Sequence, residues 1–323
     1  MTVVWIVGAG GLLGRAVVTA VDKRQGWRRL PVASLPWHDA DDFEHVTRSN
    51  IRGLLAARHA DERWAVVWAA GAAVTSTPQS EIDRELDQFR RFLAVVAEES
   101  EAAAPSGAVF YASSAGGIYS GSKNPPFDES SDVAPISPYG RFKLDAERVL
   151  AEFSLHTGIR SVSGRIANLY GPGQSLDKMQ GLISHLARAQ VSPAVVSVYV
   201  SLDTMRDYLF VTDAAELVLD VVTRSFDVPA AFTIKNLASG RSVTIAELIG
   251  HLRVILKRRP TVLLGTSAAA ALQAHDLRVR STVWTDLDAR DLTPLVVGIR
   301  ATLDDVMRSV QSGGQPSASR RIK

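Results

Sequence analysis

Val3 to Val7 is a short apolar run that stops at Gly8-Ala9-Gly10-Gly11-Leu12-Leu13-Gly14, and a helical pattern starts at about Leu12 and runs to Asp22. This strand–turn–helix junction constrains the fold more than any other stretch of the chain. A strand apolar throughout needs cover on both faces, and a glycine turn opening directly into a helix lays the chain back over one of them. The rhythm repeats. Further strand candidates lie at residues 30–35, 65–69 and 108–112, and an amphipathic helix near 80–100 carries Ile82, Leu86, Phe89, Leu93 and Val96 along one side. Short connections and right-handed crossovers make an α/β fold with a doubly wound parallel sheet the economical arrangement.

The turn has chemistry of its own. Glycine at 8, 11 and 14 permits a tight bend, lets backbone N–H groups approach a pyrophosphate at the helix N-terminus, and allows close helix–strand packing. A ligand-free glycine turn is the plainer alternative. An NAD site usually places a carboxylate about 20 residues on, at the end of the second strand. Counting from Gly14 leads to Ser34, with Asp39, Asp41 and Asp42 falling later, so NAD and NADP both stay open.

Ser137-Pro138 opens a helix, serine as cap and proline at the first helical position. Tyr139 and Lys143 follow one turn apart on one face. A free phenol ionises near pH 10, too high for a base at neutral pH, and a neighbouring ammonium or oxidised nicotinamide would favour the phenolate. The lysine can also bind the nicotinamide ribose. Ser114, after the apolar Val109-Phe110-Tyr111-Ala112, can share a substrate oxygen with Tyr139. Against this stands the ordinary alternative, a half-buried helix tyrosine beside a solvated lysine.

After about residue 170 the pattern changes. Gly171-Pro172-Gly173 interrupts it, a helix is expected near 179–190, strands near 195–200 and 207–211, and a helix over 213–225. The expected organisation is a dinucleotide-binding domain over 1–170 with return segments near 205–235, a smaller C-terminal α/β substrate lobe over 171–311, and a disordered tail over 312–323. With a net charge of +2, no strong field points to nucleic acid or membrane. The absence of cysteine excludes disulfides and thiolate chemistry and fits a cytoplasmic setting. Residues 1–21 do not read as a signal or membrane segment, because four glycines and Arg15 interrupt them. No histidines pair at metal-ligand spacing, so no metal is expected. Lys257-Arg258-Arg259 reads as a solvated helix end, and Trp5, Trp64 and Trp68 as packing residues.

Six motifs then fall in one order: Gly8-x-x-Gly11-x-x-Gly14; Trp68-Ala69-Ala70-Gly71; Ser113-Ser114-Ala115; Ser137-Pro138-Tyr139-Gly140-Arg141-Phe142-Lys143; Arg165 through Gly173; and Arg206 through Asp213. Over residues 3 to about 225 the chain resembles an extended short-chain dehydrogenase/reductase of the NAD-dependent epimerase/dehydratase family, whose fold is Rossmann-type. The resemblance implies Ser114, Tyr139 and Lys143 as the catalytic trio. It implies Gly8, Gly11, Leu12, Leu13 and Gly14 at the pyrophosphate, Ala69, Ala70 and Gly71 at the inner ribose, and Ile166 behind the nicotinamide of NAD or NADP. Asn168 and Arg206 match positions that touch the diphosphate of a nucleotide sugar, although Asn168 can equally cap the turn at Gly171 and Arg206 can pair with Asp207.

Three departures from the family pattern stand out. Ala115-Gly116-Gly117 replaces the Thr-Asp-Glu of 4,6-dehydratases, which removes the acid that would expel a hydroxyl. Glu85 stands where the family has an asparagine. The C-terminal Arg-Arg-x-Gly-Asp is missing, leaving Arg278 or Arg280 as substitutes. The expected activity is a nucleotide-sugar 4-epimerase passing through a keto-sugar, with an NADPH-dependent 4-ketoreductase as the close alternative and a non-catalytic dinucleotide sensor as the distant one. A homodimer through helices 80–100 and 139–155 is expected by analogy.

Overall fold

The computed structural model describes residues 1–74, 77–174, 181–188, 196–257, 262–265 and 274–311. The first half runs β1 (Thr2–Val7), α1 (Leu12–Lys23), β2 (Trp27–Arg29), α2 (Ala40–Ala56), β3 (Arg63–Trp68), α3 (Gln79–Ser100), β4 (Gly107–Ser114), the single turn α4 (Ala115–Ile118), α5 (Pro138–Thr157) and β5 (Arg160–Ile166). The second half runs β6 (Asn168–Tyr170), α6 (Leu182–Arg188), β7 (Val196–Val198), β8 (Met205–Arg206), β9 (Tyr208–Phe210), α7 (Val211–Ser225), β10 (Phe232–Leu237), β11 (Val243–Thr244), α8 (Ile245–Leu256), β12 (Val262–Leu264), β13 (Asp276–Leu277) and α9 (Leu295–Gln311).

Six strands form one wholly parallel sheet in the order β10–β5–β4–β3–β1–β2. Alternation along its strands builds two cores. Val3, Trp5, Val7, Val66, Trp68, Val109 and Tyr111 face α2, α3 and α5. Val4, Ile6, Val67, Phe110 and Val162 face α1 and α7. The sheet is therefore doubly wound, and Trp5, Trp64 and Trp68 are among its largest fully buried side chains. A separate core of Tyr170, Ile183, Leu186, Phe210, Leu248, Leu252 and Ile299 lies among α6, α8 and α9. β10 belongs to the central sheet, so the chain returns to that sheet after passing through β8 and β9. No described helix is long and apolar enough to cross a membrane.

The second strand is Trp27–Arg29, not residues 30–35. Leu30 N–H still donates to the Val4 carbonyl at 2.9 Å, but Pro31 has no N–H to continue the ladder. Ala33 is held instead by the Asn50 side chain, which accepts from its N–H (3.2 Å) and donates to its carbonyl (2.9 Å). The helix expected near 179–190 is described over Leu182–Arg188, and α7 starts two residues before the expected 213. Lys257 ends α8 in a left-handed conformation. Arg258, Arg259 and the tail 312–323 lie outside the described residues.

Candidate active site

The carboxyl ends of β1, β3 and β4 meet in one place, the edge at which open α/β sheets bind ligands. Gly8 turns there with φ +84°, and a β-carbon on it would stand 2.6 Å from the Ala70 Cα. A β-carbon on Gly14 would lie 2.1 Å from the Gly8 carbonyl oxygen. Both glycines are thus needed to bring the turn against Ala69–Ala70, whatever binds there. Gly11 caps α1 with no side-chain hydrogen bond, so the first-turn N–H groups carry no side-chain acceptor. This cradle fits a dinucleotide's pyrophosphate. Leu13 and Ile166 are buried core residues of the α1–α7 side. Leu13 can meet a phosphate only through its backbone.

Ser114 ends β4. Its hydroxyl accepts from the Gly117 N–H at 3.1 Å, which caps α4, and it lies near enough to the Tyr139 phenol to favour the phenolate. Tyr139 is delivered by α5, whose Ser137 side chain accepts from the Gly140 N–H at 3.0 Å with Pro138 at the first helical position. Two glycines make room for it. A β-carbon on Gly117 would lie 3.1 Å from the Tyr139 ring, and one on Gly140 would lie 2.2 Å from the Gly117 carbonyl.

Lys143 is buried, at 5% exposure. Its ammonium donates to the Tyr111 hydroxyl and the Ala112 carbonyl, each at 3.1 Å, and stands 5.7 Å from the centre of the Tyr139 ring. Burial lowers this lysine to about 8, while Glu85 and then Glu147 act to raise it. The phenol departs from expectation. Burial pushes Tyr139 up to about 12, the Ser114 hydroxyl opposes the rise, and Glu85 adds to it. Desolvation of the anion outweighs the neighbouring lysine, which is itself occupied by Tyr111 and a carbonyl.

Beneath the trio lies a buried polar network. Glu147 pairs with Arg165 at 2.7 Å and accepts from Ser113 (2.6 Å) and Ser163 (3.0 Å), and Arg165 donates to the Tyr119 hydroxyl at 2.8 Å. A buried pair this fully hydrogen-bonded fixes α5 on β4 and β5, and losing one partner costs about 3–5 kcal/mol. Glu147 sits one turn after Lys143, so helical spacing was the available signal for it. Tyr111 was legible only as a strand residue sharing a face with Ser113.

The resemblance-derived substrate residues divide. Arg206 is buried, and across the β8–β13 register it faces Leu277, whose methyl lies 3.8 Å from where a Gly116 β-carbon would be. Its guanidinium donates to the Met205 and His275 carbonyls (2.8 and 3.4 Å). It does not pair with Asp207, which instead accepts from the N–H and hydroxyl of Ser239 at 2.8 and 3.0 Å. A buried guanidinium that, among the described residues, hydrogen-bonds carbonyls alone suits an anion. Asn168 donates to the Asp207 carbonyl at 2.9 Å, joining β6 to β9 rather than capping the turn at Gly171. Arg278 and Arg280 are engaged by Asp276 (2.9 Å) and Asp128 (2.7 Å). Each pairs with a carboxylate while its side chain stays 42% and 58% exposed, respectively.

Comparison with known proteins agrees with this geometry. The model of the "NAD dependent epimerase/dehydratase family" matches residues 4–234. The chain is similar to dTDP-4-dehydro-6-deoxyglucose reductase of Escherichia coli, 25% identical over 276 residues, covering 80% of this chain and 83% of that protein. It is also similar to dTDP-L-rhamnose 4-epimerase of Burkholderia thailandensis, 29% identical over 121 residues, covering 37% of this chain and 32% of that one. Among solved structures, UDP-glucose 4-epimerase of Thermotoga maritima with UDP-glucose superposes with a TM-score of 0.77 at 19% identity, over 96% of this chain and 100% of that one.

Proposed function

The chain belongs to the NAD dependent epimerase/dehydratase family, and on that premise we propose that it reduces the 4-keto group of a nucleotide-linked 6-deoxyhexose, with Tyr139 as the proton donor. The observation that carries this is the grouping of Ser114, the Tyr139 phenol and buried Lys143, whose ammonium stands 5.7 Å from the centre of the Tyr139 ring, at the sheet edge where the glycine turn opens. When bound, NAD(P)H supplies the hydride to the carbonyl carbon. The Tyr139 hydroxyl gives its proton to the carbonyl oxygen, and the product alcohol leaves with oxidised cofactor. Ser114 holds the same oxygen in place, and Lys143 provides the positive charge that stabilises the phenolate left behind.

Reduction ranks ahead of epimerisation here for two reasons. A protonated phenol and an ammonium are the forms present at neutral pH, and they are the forms a ketone needs. The reductase relative also aligns with most of the chain. Epimerisation at C4 is the second reading, favoured by the similarity to a rhamnose 4-epimerase over 121 residues. Dehydration is disfavoured, because α4 offers no carboxylic acid after Ser114.

The test is purified protein with a dTDP-4-keto-6-deoxyhexose and NADPH or NADH. Mole-for-mole loss of reduced cofactor supports reduction. Interconversion of two 4-hydroxy sugars without net cofactor consumption supports the epimerase instead. Tyr139→Phe is expected to lose about 10²–10⁴-fold in turnover while keeping cofactor affinity. Undiminished turnover in Tyr139→Phe would reject Tyr139 as the proton donor, and absence of turnover with every keto-sugar in a protein that still binds cofactor would leave the sensor.

A further inference from the structure

Glu85 lies on the inner side of α3 and uses one carboxylate oxygen to accept from two successive backbone donors, Ala72 N–H at 3.1 Å and Ala73 N–H at 3.0 Å. Its other oxygen and the Lys143 ammonium flank the bare Cα of Gly71. A β-carbon on that glycine would stand 3.1 Å from Glu85 Oε1 and 3.8 Å from Lys143 Nζ. The backbone contacts therefore fix the carboxylate while leaving its charge facing the lysine across the gap that glycine keeps open. An asparagine in the same place would hold the backbone as well but would bring no charge.

Among the described residues, the other groups around the pair leave Glu85 as the uncompensated charge. Tyr111 from β4 offers a neutral phenol that burial keeps protonated. Glu147, on α5 itself, is matched by the Arg165 guanidinium of β5 at 2.7 Å. Ser114 is neutral. We propose that Glu85 is a positioning residue for the reaction: its carboxylate holds Lys143 as an ammonium and Tyr139 as a neutral phenol, so that more of the enzyme stands ready to give a proton to a carbonyl than to take one from an alcohol. The direction follows from elementary electrostatics, since a negative charge favours the protonated form of both groups. Of the two carboxylates that raise Lys143, Glu85 acts more strongly than Glu147, and it also raises Tyr139. The overall equilibrium of the reaction is untouched, and what changes is the pH range over which each direction runs. The charge effect is independent of the activity, whereas its catalytic meaning rests on the ketoreductase reading.

Glu85→Gln keeps the shape and an oxygen for both N–H donors. At a separation of up to roughly 7 Å and an effective dielectric of about 20, one unit charge moves a neighbour's midpoint by about 2 pH units. The experiment is an NMR titration of the Lys143 side-chain ammonium in the protein without cofactor, its resonance identified by its loss in Lys143→Arg. In Glu85→Gln the midpoint is expected to fall by about one pH unit or more, and the alkaline limb of the reduction rate to move the same way. An unmoved midpoint in folded Glu85→Gln overturns the proposal, as does a wild-type Lys143 midpoint below neutrality, which needs no variant. A shifted midpoint in a protein that reduces no keto-sugar would uphold the charge effect and reject the ketoreductase reading alone.

Discussion

Tyr139 and Lys143 are separated by one helical turn, yet the folded protein treats them in opposite ways. Burial raises the phenol and lowers the ammonium, because in each case it disfavours the charged form. The sign of the pH dependence follows. Lys143 loses its proton as pH rises through about 8, well below its ordinary value of 10.5. Tyr139 stays protonated throughout that range. Reduction needs both protons, so kcat is expected to be flat below about 8 and to fall about tenfold per unit above it. A rate that instead climbs steadily from pH 8 to 10 would mean that the phenolate, and so alcohol oxidation, governs turnover.

The element that seats the tyrosine is the crossing of α4 and α5, where Gly117 and Gly140 touch backbone to backbone. On helix propensity alone Gly140→Ala would gain about 1 kcal/mol. The geometry decides otherwise. The new methyl would stand 2.2 Å from the Gly117 carbonyl oxygen and 2.9 Å from Pro135 Cβ, and neither is a flexible chain end. Gly140→Ala is expected to lower stability by about 1–3 kcal/mol and to push Tyr139 away from Ser114, so that a urea melt and turnover both fall. A variant more stable than wild type would show that the crossing has slack.

Across the whole molecule, the outward faces of α3 and α5 are the surfaces through which a pair of such chains would join. Arg84, Asp87, Arg90 and Glu98 are exposed on α3, and Arg141, Arg148 and Glu152 on α5, with Leu155 the large apolar side chain in the open at 75% exposure. Stable interfaces are depleted of charge at their centre, and taking these ions out of water is costly unless each finds a partner. The chain is therefore expected to run as a monomer in light scattering at micromolar concentration. A dimer that survives dilution would place the interface on this face with paired charges, or on another face.

The parallel sheet, the glycine turn and the grouping of serine, tyrosine and lysine were legible in the amino-acid order, because each follows from local pattern: apolar strands separated by helices, glycines at fixed spacing, a serine–proline helix start. That order also located Arg206, though not its partners. The rest depends on contacts between segments far apart in the chain, which packing alone establishes. The β2 boundary moved because Asn50, not β1, holds Ala33. Asp207 turned to Ser239, and Arg206 to the carbonyls of Met205 and His275. Tyr111, an ordinary strand residue in the sequence, became the acceptor for Lys143. Glu85 became its facing charge, since the gap that joins them belongs to Gly71. The acidity of the phenol went the same way: spacing placed a cation within reach, but the depth of burial set which protonation state prevails, and depth is a property of the packed whole.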